Sequence, residues 1–460
     1  MSLTDSRAQV LHVVRGVLVR PSETDFASSK GNVISPALDL DALVWTRSEP
    51  VPAADTPIAE IIELLAAVGD RLRRDEGGYR ESALRSFQKT TTTSTELLGR
   101  AYEGLWRNFD PDQLRFQVET ELGGADLIDG WRGYEKPDGS VGSVRAAPSR
   151  LVHIMAGNGP GVAAMTVVRG ALTKSANLLK LPSNDLFTAP MILRHLIDEA
   201  PDHAVTRSFS SVYWQGGDES VESVLLNPLW FDKIIAWGGE TAIRSAARWL
   251  GPGLELISFD PKNSISLIGI EAFQSDATLR EAVSAAATDA TVHDQDACTA
   301  SRFQFVEGDV GMVDRFCELL VTELNVSREK SSSSGPAVPE DVREEIEAVR
   351  GLEPEYRVWG RFDGTGMVVR SDEPVGFYPS GKVVNVVPVD SLALALRHVS
   401  VATGTVGVYP SSRRSALRDL IVSAGAQRVA TLGDAGQMAS GLPHDGFFPL
   451  ARFVRWVRDD

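Results

Sequence analysis

The sequence predicts an α/β protein with a parallel sheet, and three segments in its middle carry this prediction. In each segment, a short apolar run typical of a strand leads into a turn of small and polar residues. These strand and turn pairs are 151–155 with 156–161, 177–181 with 182–185, and 233–237 with 238–241. Because nucleotides usually bind to turns at the carboxyl ends of parallel strands, this region is expected to hold a nucleotide.

The segments on either side have weaker signals. Residues 11–14 and 17–19 are short strand candidates, and helices are expected to begin near residues 57 and 94, the second with a Ser/Thr cap. The serine-rich segment 327–336 is low in complexity, so we predict a mobile insertion inside a domain.

Composition excludes several classes of protein. The chain has 460 residues, of which 43% are hydrophobic, which is enough for two or three domains with their own cores. Its net charge of -16 argues against a nucleic-acid partner, because phosphate neutralisation needs clustered Lys and Arg. The two cysteines cannot build a disulfide framework, and no CxxC or HExxH spacing indicates a metal site.

The compartment is expected to be the cytoplasm. Residues 1–7 lack the charged and then apolar order of a secretory signal. No apolar run approaches the roughly 18 residues that a membrane-spanning helix needs.

The two cysteines differ in their surroundings. Cys317 shares helical spacing with Val313, Leu320 and Leu324, so it is predicted to lie in a core. Cys298 follows a stretch of small residues, precedes a β-prone run and has polar neighbours. A thiol placed in this way is a candidate nucleophile if nearby donors or positive charge stabilise the thiolate. The alternative for Cys298 is a small buried hydrophobic residue.

Four residues of the three turns are candidate site residues, and each has a plainer interpretation. Asn158 could donate its carboxamide to an oxyanion, or it could serve only the turn that carries it. Lys180, at a strand end, could contact a ribose or phosphate, or it could be a solvated charge. Gly238 and Gly239 could admit a pyrophosphate, or they could form a plain tight turn. His153, on the apolar strand, is predicted to be a core histidine.

Taken in order, these pieces and several others resemble the aldehyde dehydrogenase superfamily and, within it, the LuxC-type acyl-CoA reductases. The likeness covers about residues 120–458. It rests on segments 153–161, 169–174 with Lys180, 213–217, 236–239, 294–298, 441–446, 449–450 and 454–456. The resemblance implies an aldehyde dehydrogenase-like fold with a Rossmann-type cofactor domain and an α/β catalytic domain.

The resemblance also implies roles for the candidate residues. Cys298 matches the nucleophile of the superfamily, and Asn158 matches the oxyanion donor, with the Cys298 backbone N–H as the second donor. Lys180 matches the lysine that contacts the adenosine ribose. Gly238 and Gly239 match the turn that faces the cofactor pyrophosphate.

Two departures from the superfamily pattern are informative, one about hydrolysis and the other about the cofactor. Ser258 stands where hydrolytic relatives carry a glutamate base, so water would not be activated and an acyl-cysteine would survive until hydride arrives. Ser183 stands where NAD-specific relatives often carry a glutamate. A neutral side chain does not repel a 2′-phosphate, so NADPH is the expected cofactor.

The resemblance assigns a task to each part of the chain. Residues 1–257 are expected to form an N-terminal region and the cofactor-binding domain. Residues 258–435 are expected to form the catalytic domain, with the mobile insertion near 327–340. Residues 436–460 would return to the cofactor domain or to an oligomer interface.

The expected function is NADPH-dependent reduction of an acyl-CoA or a carrier-bound acyl thioester to the aldehyde. Two alternatives stay open: an aldehyde dehydrogenase working oxidatively with NAD(P), and a non-catalytic scaffold for an acyl-activating partner protein. The resemblance further implies a homo-oligomer. It leaves the acyl chain length and the identity of the thiol donor open.

Overall fold

The computed structural model describes residues 8–20, 24–28 and 31–460, and its chain divides into two compact units. The first unit comprises Met1–Thr91, Ala101–Asp260 and Ala439–Asp460, and the second comprises Thr92–Arg100 and Pro261–Met438. The boundaries expected from the sequence fall after residues 257 and 435, close to these changes of unit. Residues 1–7, which were tested for a secretory signal, lie outside the described residues.

The strands, in chain order, are β1 (Ala8–Gln9), β2 (His12–Val14), β3 (Val17–Val19), β4 (Thr24–Ser28), β5 (Gly31–Ser35), β6 (Arg132–Glu135), β7 (Val141–Ala147), β8 (Arg150–Ile154), β9 (Ala176–Lys180), β10 (Phe209–Val212), β11 (Lys233–Trp237), β12 (Glu255–Phe259), β13 (Asn263–Ile268), β14 (Ser301–Glu307), β15 (Tyr356–Arg361), β16 (Gly366–Ser371), β17 (Val383–Val389), β18 (Thr403–Tyr409), β19 (Arg428–Thr431) and β20 (Arg455–Asp459).

The α-helices are α1 (Leu40–Leu43), α2 (Ile58–Arg74), α3 (Tyr79–Phe87), α4 (Thr95–Glu103), α5 (Pro111–Leu122), α6 (Ala125–Asp129), α7 (Pro160–Leu172), α8 (Thr188–Glu199), α9 (Ala204–Arg207), α10 (Glu219–Leu225), α11 (Glu240–Ala247), α12 (Asp276–Ala290), α13 (Val310–Glu323), α14 (Glu340–Val349), α15 (Leu392–Ala395), α16 (Arg414–Ser423) and α17 (Pro449–Phe453). None of those within the described ranges combines the length and apolar character that a membrane crossing requires.

The first unit is built on a seven-stranded sheet in the order β12-β11-β8-β9-β10-β2-β3. Neighbouring strands from β12 to β10 are parallel, and the hairpin of β2 and β3 closes one edge in antiparallel pairing. The three strands predicted in the middle of the chain are β8, β9 and β11. The predicted α/β class is therefore confirmed. Because these strands are parallel, their carboxyl ends and the turns that follow lie at one edge of the sheet.

The second unit contains another seven-stranded sheet, in the order β15-β16-β17-β14-β13-β18-β19. All its neighbouring pairs are parallel except β15 with β16. Helices α12 and α13 contribute to one apolar core of this unit, and α15 and α16 contribute to a second one. Cys317 is fully buried in the first of these cores, which confirms the core assignment made from its spacing.

Two small sheets complete the first unit. In one of them, β20 pairs antiparallel with β7, which in turn pairs with β6. The C-terminal strand is thus held by the hairpin that precedes β8. In the other, β5 lies between β1 and β4.

The serine-rich segment is packed more tightly than its composition predicts. Ser331 and Ser332 are buried, with 1% and 2% of their surfaces exposed. The backbone N–H of Ser332 donates to Asp294 Oδ1 at 2.8 Å. Composition alone could not reveal these contacts, because they come from buried polar groups in a neighbouring turn. The mobility of the segment stays a prediction.

Buried histidines make the fold sensitive to acid. Burial lowers the pKa values of His12, His153 and His195 to about 4, and it lowers the pKa of His444 to about 3. An unfolded histidine titrates near 6.5, so below that pH the unfolded chain binds protons that the folded chain rejects. The free energy of unfolding therefore falls with pH between about 6.5 and about 4 for His12, His153 and His195, and between about 6.5 and about 3 for His444.

His195 offers a direct test, because neither of its ring nitrogens has a hydrogen-bond partner among the described residues. The ring packs against Tyr79, with centroids 5.2 Å apart. We expect His195→Phe to leave stability at pH 8 nearly unchanged and to raise it by about 1–2 kcal/mol at pH 5, relative to the unmutated protein. Urea unfolding at both pH values measures this. Equal losses between pH 8 and pH 5 in the two proteins would contradict it.

Candidate active site

Asn158 is displayed on a fixed turn between β8 and α7. The side chain of Asn158 is exposed. The Asn184 amide donates to the Gly157 carbonyl at 2.9 Å, and a Cβ added to Gly157 would lie 2.0 Å from Asn184 Oδ1. Only glycine permits this close approach, which ties the turn to the end of β9. Pro160 begins α7 at the position where proline is well tolerated, since its missing N–H has no helical partner to lose.

Lys180 ends β9 in a partly desolvated position. Its ammonium lies 5.6 Å from the Trp214 ring centroid and 5.9 Å from that of Tyr213. Burial lowers the pKa of Lys180 to about 8, against an opposing attraction from Glu222. Ser183 is partly buried in the turn that follows. A half-desolvated ammonium at a strand end is a suitable donor for the hydroxyl groups of a ribose.

Glu222 is a buried acid that acts on Lys180 and that sequence analysis did not single out. It lies on α10 with only 3% of its surface exposed. Its carboxylate accepts from the Trp214 indole at 3.3 Å, from Gly217 N at 3.0 Å and from the Trp249 indole at 3.1 Å, and it pairs with Arg248 at 3.4 Å. Nothing in the acidic run around Glu222 distinguishes it from solvated acids, because its partners are brought in by the fold.

The turn between β11 and α11 is open to a ligand. Gly238 has a backbone φ angle of 147°, which residues other than glycine rarely adopt. Gly239 caps α11 without any side-chain hydrogen bond, and a Cβ placed there would meet nothing within 4 Å among the described atoms. The backbone N–H groups of Glu240 and Thr241 begin this helix and are suited to an anion. Together with Lys180, these groups supply hydrogen-bond donors, which fits the phosphates and ribose of a dinucleotide.

The strand register brings these residues to one edge. Ile154, at the end of β8, is opposite Lys180 on one side and Ala236 on the other. The turns that carry Asn158, Ser183 and Gly238–Gly239 all begin within a few residues of these positions.

A buried polar cluster lies beneath the Gly238–Gly239 turn. Trp237 and Phe259 stack with centroids 3.7 Å apart, and the His444 ring packs on both. Arg169, on α7, donates to His444 Nδ1 at 3.3 Å. Burial, reinforced by the Arg169 charge, lowers the pKa of His444 to about 3, so its ring is neutral and carries its proton on Nε2.

This cluster also joins the C-terminal segment to the first unit. Glu121 Oε2 accepts from Leu450 N at 2.7 Å. The Glu121 carboxylate also attracts the Arg169 guanidinium, which opposes the lowering of the Arg169 pKa by burial. Sequence analysis included His444 only within segment 441–446 of the family pattern. Its contacts come from α7, β11 and β12, which no local motif could show.

Cys298 lies in the second unit, between α12 and β14, and its side chain is exposed. Its carbonyl accepts from Ser264 Oγ at 2.8 Å. The three residues from His293 to Gln295 have φ of 52°, 52° and 77°, so the backbone makes a left-handed turn just before the cysteine. The thiol is therefore accessible on a tightly bent loop, unlike the core thiol of Cys317.

Two guanidinium groups act on Cys298. Burial lowers the pKa values of Arg302 and Arg428. Attraction to Cys298 is one of several smaller effects that raise the pKa of each arginine. Both guanidinium groups therefore bring positive charge near Cys298. Arg302 is held in place by donation to Pro379 O at 2.5 Å and by the Tyr378 ring, 4.4 Å from its guanidinium carbon.

Each candidate residue belongs to one unit. Asn158, Lys180, Ser183 and Gly238–Gly239 lie in the first unit, and Cys298 lies in the second. Across residues 8–20, 24–28 and 31–460, no group of His, Cys, Asp and Glu side chains is placed to hold a metal ion.

These two units, one with a parallel sheet whose turns are open at one edge and the other with an exposed cysteine, are typical of aldehyde dehydrogenase-like oxidoreductases. The aldehyde dehydrogenase of Mycobacterium tuberculosis in complex with NAD+ aligns with a TM-score of 0.73 at 17% identity, over 99% of this chain and 98% of that one. The NADP-dependent glyceraldehyde-3-phosphate dehydrogenase of Bacillus halodurans C-125 aligns with a TM-score of 0.70 at 15% identity, over 99% of both chains. These likenesses establish the fold.

The chain belongs to the LuxC acyl-CoA reductase family, whose model matches residues 53–456. A long-chain acyl-protein thioester reductase of Photorhabdus luminescens is 30% identical over 86% of this chain and 81% of the relative. The enzyme of the same name from Vibrio harveyi is 27% identical over 88% of this chain and 83% of the relative. The family resemblance inferred from the ordered motifs is thus confirmed.

The charge of Arg302 can be tested through the reactivity of the thiol. We expect Arg302→Gln to move the pH profile of Cys298 alkylation by iodoacetamide to higher pH, because one of the two stabilising charges is lost. Arg302→Lys keeps the charge, so it should shift the profile less. Mass spectrometry of the Cys298 peptide measures both. An unchanged profile in Arg302→Gln would show that this guanidinium does not act on the thiol.

Proposed function

We propose that this protein reduces a fatty acyl thioester to the aldehyde through an acyl-cysteine on Cys298, with NADPH as reductant. The observation that carries the proposal is the exposed Cys298 loop, on which two arginines act. Family membership and the names of the relatives supply the reaction class, reduction of a long-chain acyl-protein thioester.

The first half of the reaction is acyl transfer. The Cys298 thiolate attacks the thioester carbonyl, a carbon–sulfur bond forms, and the carbonyl oxygen takes up the negative charge. The Asn158 carboxamide and the Cys298 N–H are proposed to donate to this oxyanion. Collapse of the intermediate expels the thiolate of the donor and leaves the acyl group on Cys298.

The second half is reduction of the acyl-cysteine. When bound, NADPH supplies the hydride that this step consumes. The same oxyanion donors serve again, and collapse of the thiohemiacetal releases the aldehyde and restores the thiolate. Ser258, next to Phe259 on β12, cannot accept a proton from water as a carboxylate would, so hydrolysis of the acyl-cysteine is slow. This disfavours the oxidative aldehyde dehydrogenase alternative, which needs an activated water.

The cofactor is proposed to bind at the open edge of the first unit. Lys180 would donate to the adenosine ribose, and the amides that follow Gly238–Gly239 would bind the pyrophosphate. Ser183 leaves room and no negative charge for a 2′-phosphate, which supports NADPH over NADH.

The acyl donor is proposed to be a protein-bound thioester rather than free acyl-CoA. The relatives are acyl-protein thioester reductases, which supports this choice, whereas the family is named for the reduction of acyl-CoA. An acyl-activating partner protein and a homo-oligomeric state stay predictions.

Two variants test the mechanism. We expect Cys298→Ala to abolish aldehyde formation while NADPH binding persists, because only the nucleophile is removed. We expect Asn158→Ala to slow turnover by about 10²–10³-fold, the usual effect of losing one oxyanion donor. Absorbance of NADPH during incubation with acyl thioesters of graded chain length measures turnover, and intact mass measures acylation.

The outcomes separate the alternatives. A hydroxylamine-labile acyl group on Cys298 in the unmutated protein is expected, and its absence would favour the scaffold interpretation. Normal turnover by Cys298→Ala would remove the mechanism. Activity confined to aldehyde and NAD⁺ without a thiol acceptor would favour the oxidative alternative.

The cofactor preference can be reversed at one position. We expect Ser183→Glu to weaken NADPH use and to spare NADH, since a carboxylate would repel the 2′-phosphate and accept from the ribose 2′-hydroxyl instead. The ratio of kcat/KM for the two cofactors measures this. Ser183→Gln, which has the same shape without the charge, is the matched control. If both variants change the ratio equally, shape rather than charge sets the preference.

A further inference from the structure

The loop before Cys298 is held in a conformation that its residues do not favour. His293, Asp294 and Gln295 carry side chains, yet all three have positive φ values. A left-handed conformation is disfavoured for such residues because the Cβ approaches the backbone, and it persists only when surrounding contacts impose it. The contacts of these residues therefore decide where Cys298 is placed.

Asp294 is fixed by a buried ion pair and two hydrogen bonds. Its carboxylate lies 3.3 Å from Lys382 Nζ, and the side chain of Lys382 is fully buried. The same carboxylate accepts from Ser332 N at 2.8 Å and from Ser332 Oγ at 2.6 Å. Lys382 Nζ also donates to the carbonyl of Ser332, which closes a triangle of three side chains and one backbone segment.

Gln295 attaches the loop to the seven-stranded sheet of the second unit. Its amide nitrogen donates to Val383 O at 2.7 Å, and its amide oxygen accepts from Val383 N at 3.1 Å. Val383 begins β17 and directly follows Lys382. Lys382 pairs with Asp294, and the next residue, Val383, pairs with Gln295. One short segment therefore holds two of the three positive-φ residues.

The serine-rich segment links this triangle to α4. Arg100 donates to Ser327 Oγ at 3.0 Å and to Ser331 O at 3.3 Å. Gly335 packs so closely that an added Cβ would lie 3.0 Å from Lys382 Cε. The segment Thr92–Arg100 belongs to the second unit with Cys298, although it precedes most of the first unit in the chain.

We propose that Asp294, Lys382 and Ser332 form a positioning triad that holds the Cys298 loop in its reactive geometry. These residues act through the loop and are not proposed to touch the substrate. The inference rests on the proposed function only in taking Cys298 as the nucleophile. It predicts that breaking the triad displaces the thiol and slows acyl transfer, while NADPH binding at the first unit is unaffected.

The test compares two buried ion pairs of the same unit. Lys382→Met removes one cation and leaves Asp294 with Ser332. Arg370→Met is the matched control, because Arg370 is buried beside Asp314 at 2.9 Å, and Asp314 keeps Arg357 at 2.7 Å. For each protein we would measure the single-turnover rate of Cys298 acylation, the rate of its alkylation by iodoacetamide, NADPH affinity and the urea midpoint.

We expect Lys382→Met to slow acylation by about 10²-fold, the scale of loss from a small misplacement of a reacting group. Arg370→Met should lower the urea midpoint to a similar extent yet acylate within a few fold of the unmutated rate. NADPH affinity should be unchanged in both. Asp294→Asn, which keeps the shape of the side chain, should slow acylation in the same direction and carries the test if Lys382→Met does not fold.

Two outcomes would overturn the triad. One is equal slowing of acylation by Lys382→Met and Arg370→Met, which would mean that general destabilisation explains the loss. The other is acylation at the unmutated rate in folded Lys382→Met or Asp294→Asn. Failure of the unmutated protein to take up any acyl group is a different result, since it would remove the proposed function itself.

Discussion

In the second unit an exposed thiol is carried by a backbone that buried contacts hold fixed, and the proposed chemistry depends on this combination. Cys298 meets solvent, while Asp294 and Gln295, a few residues earlier, are almost completely buried. Burial of polar side chains is tolerated because each finds charged or backbone partners. The parallel sheet supplies those partners at the start of β17, so the accessibility of one residue depends on the burial of its neighbours.

The first unit solves the complementary problem of leaving donors available. A bound dinucleotide would need exposed amide donors at this edge of the sheet. Glycines at 238 and 239 keep the end of β11 clear of side chains. The stacked Trp237 and Phe259 lie directly behind this turn, so a rigid apolar layer supports a polar, open surface.

The sequence predicted features that are local and missed those that depend on the fold. The strand and turn pairs of β8, β9 and β11, the core position of Cys317 and the family were all accessible, since each follows from periodicity or from ordered motifs. The contacts of Glu222 and Lys382 were not, because their partners lie on other elements and an isolated charge resembles a solvated one. The buried contacts of Ser331 and Ser332 were missed for the same reason, because composition describes the residues of the serine-rich segment but not the groups that meet them.

The two cysteines differ in exposure, so the number of reactive thiols per chain reports whether the chain is folded. One sulfur faces solvent and the other is enclosed in the core between α12 and α13. A bulky thiol-directed dye should therefore count one site per native chain and two per denatured chain. The number of labelled thiols per chain therefore gives the folded fraction of a preparation, without substrate or cofactor, before its activity is assayed.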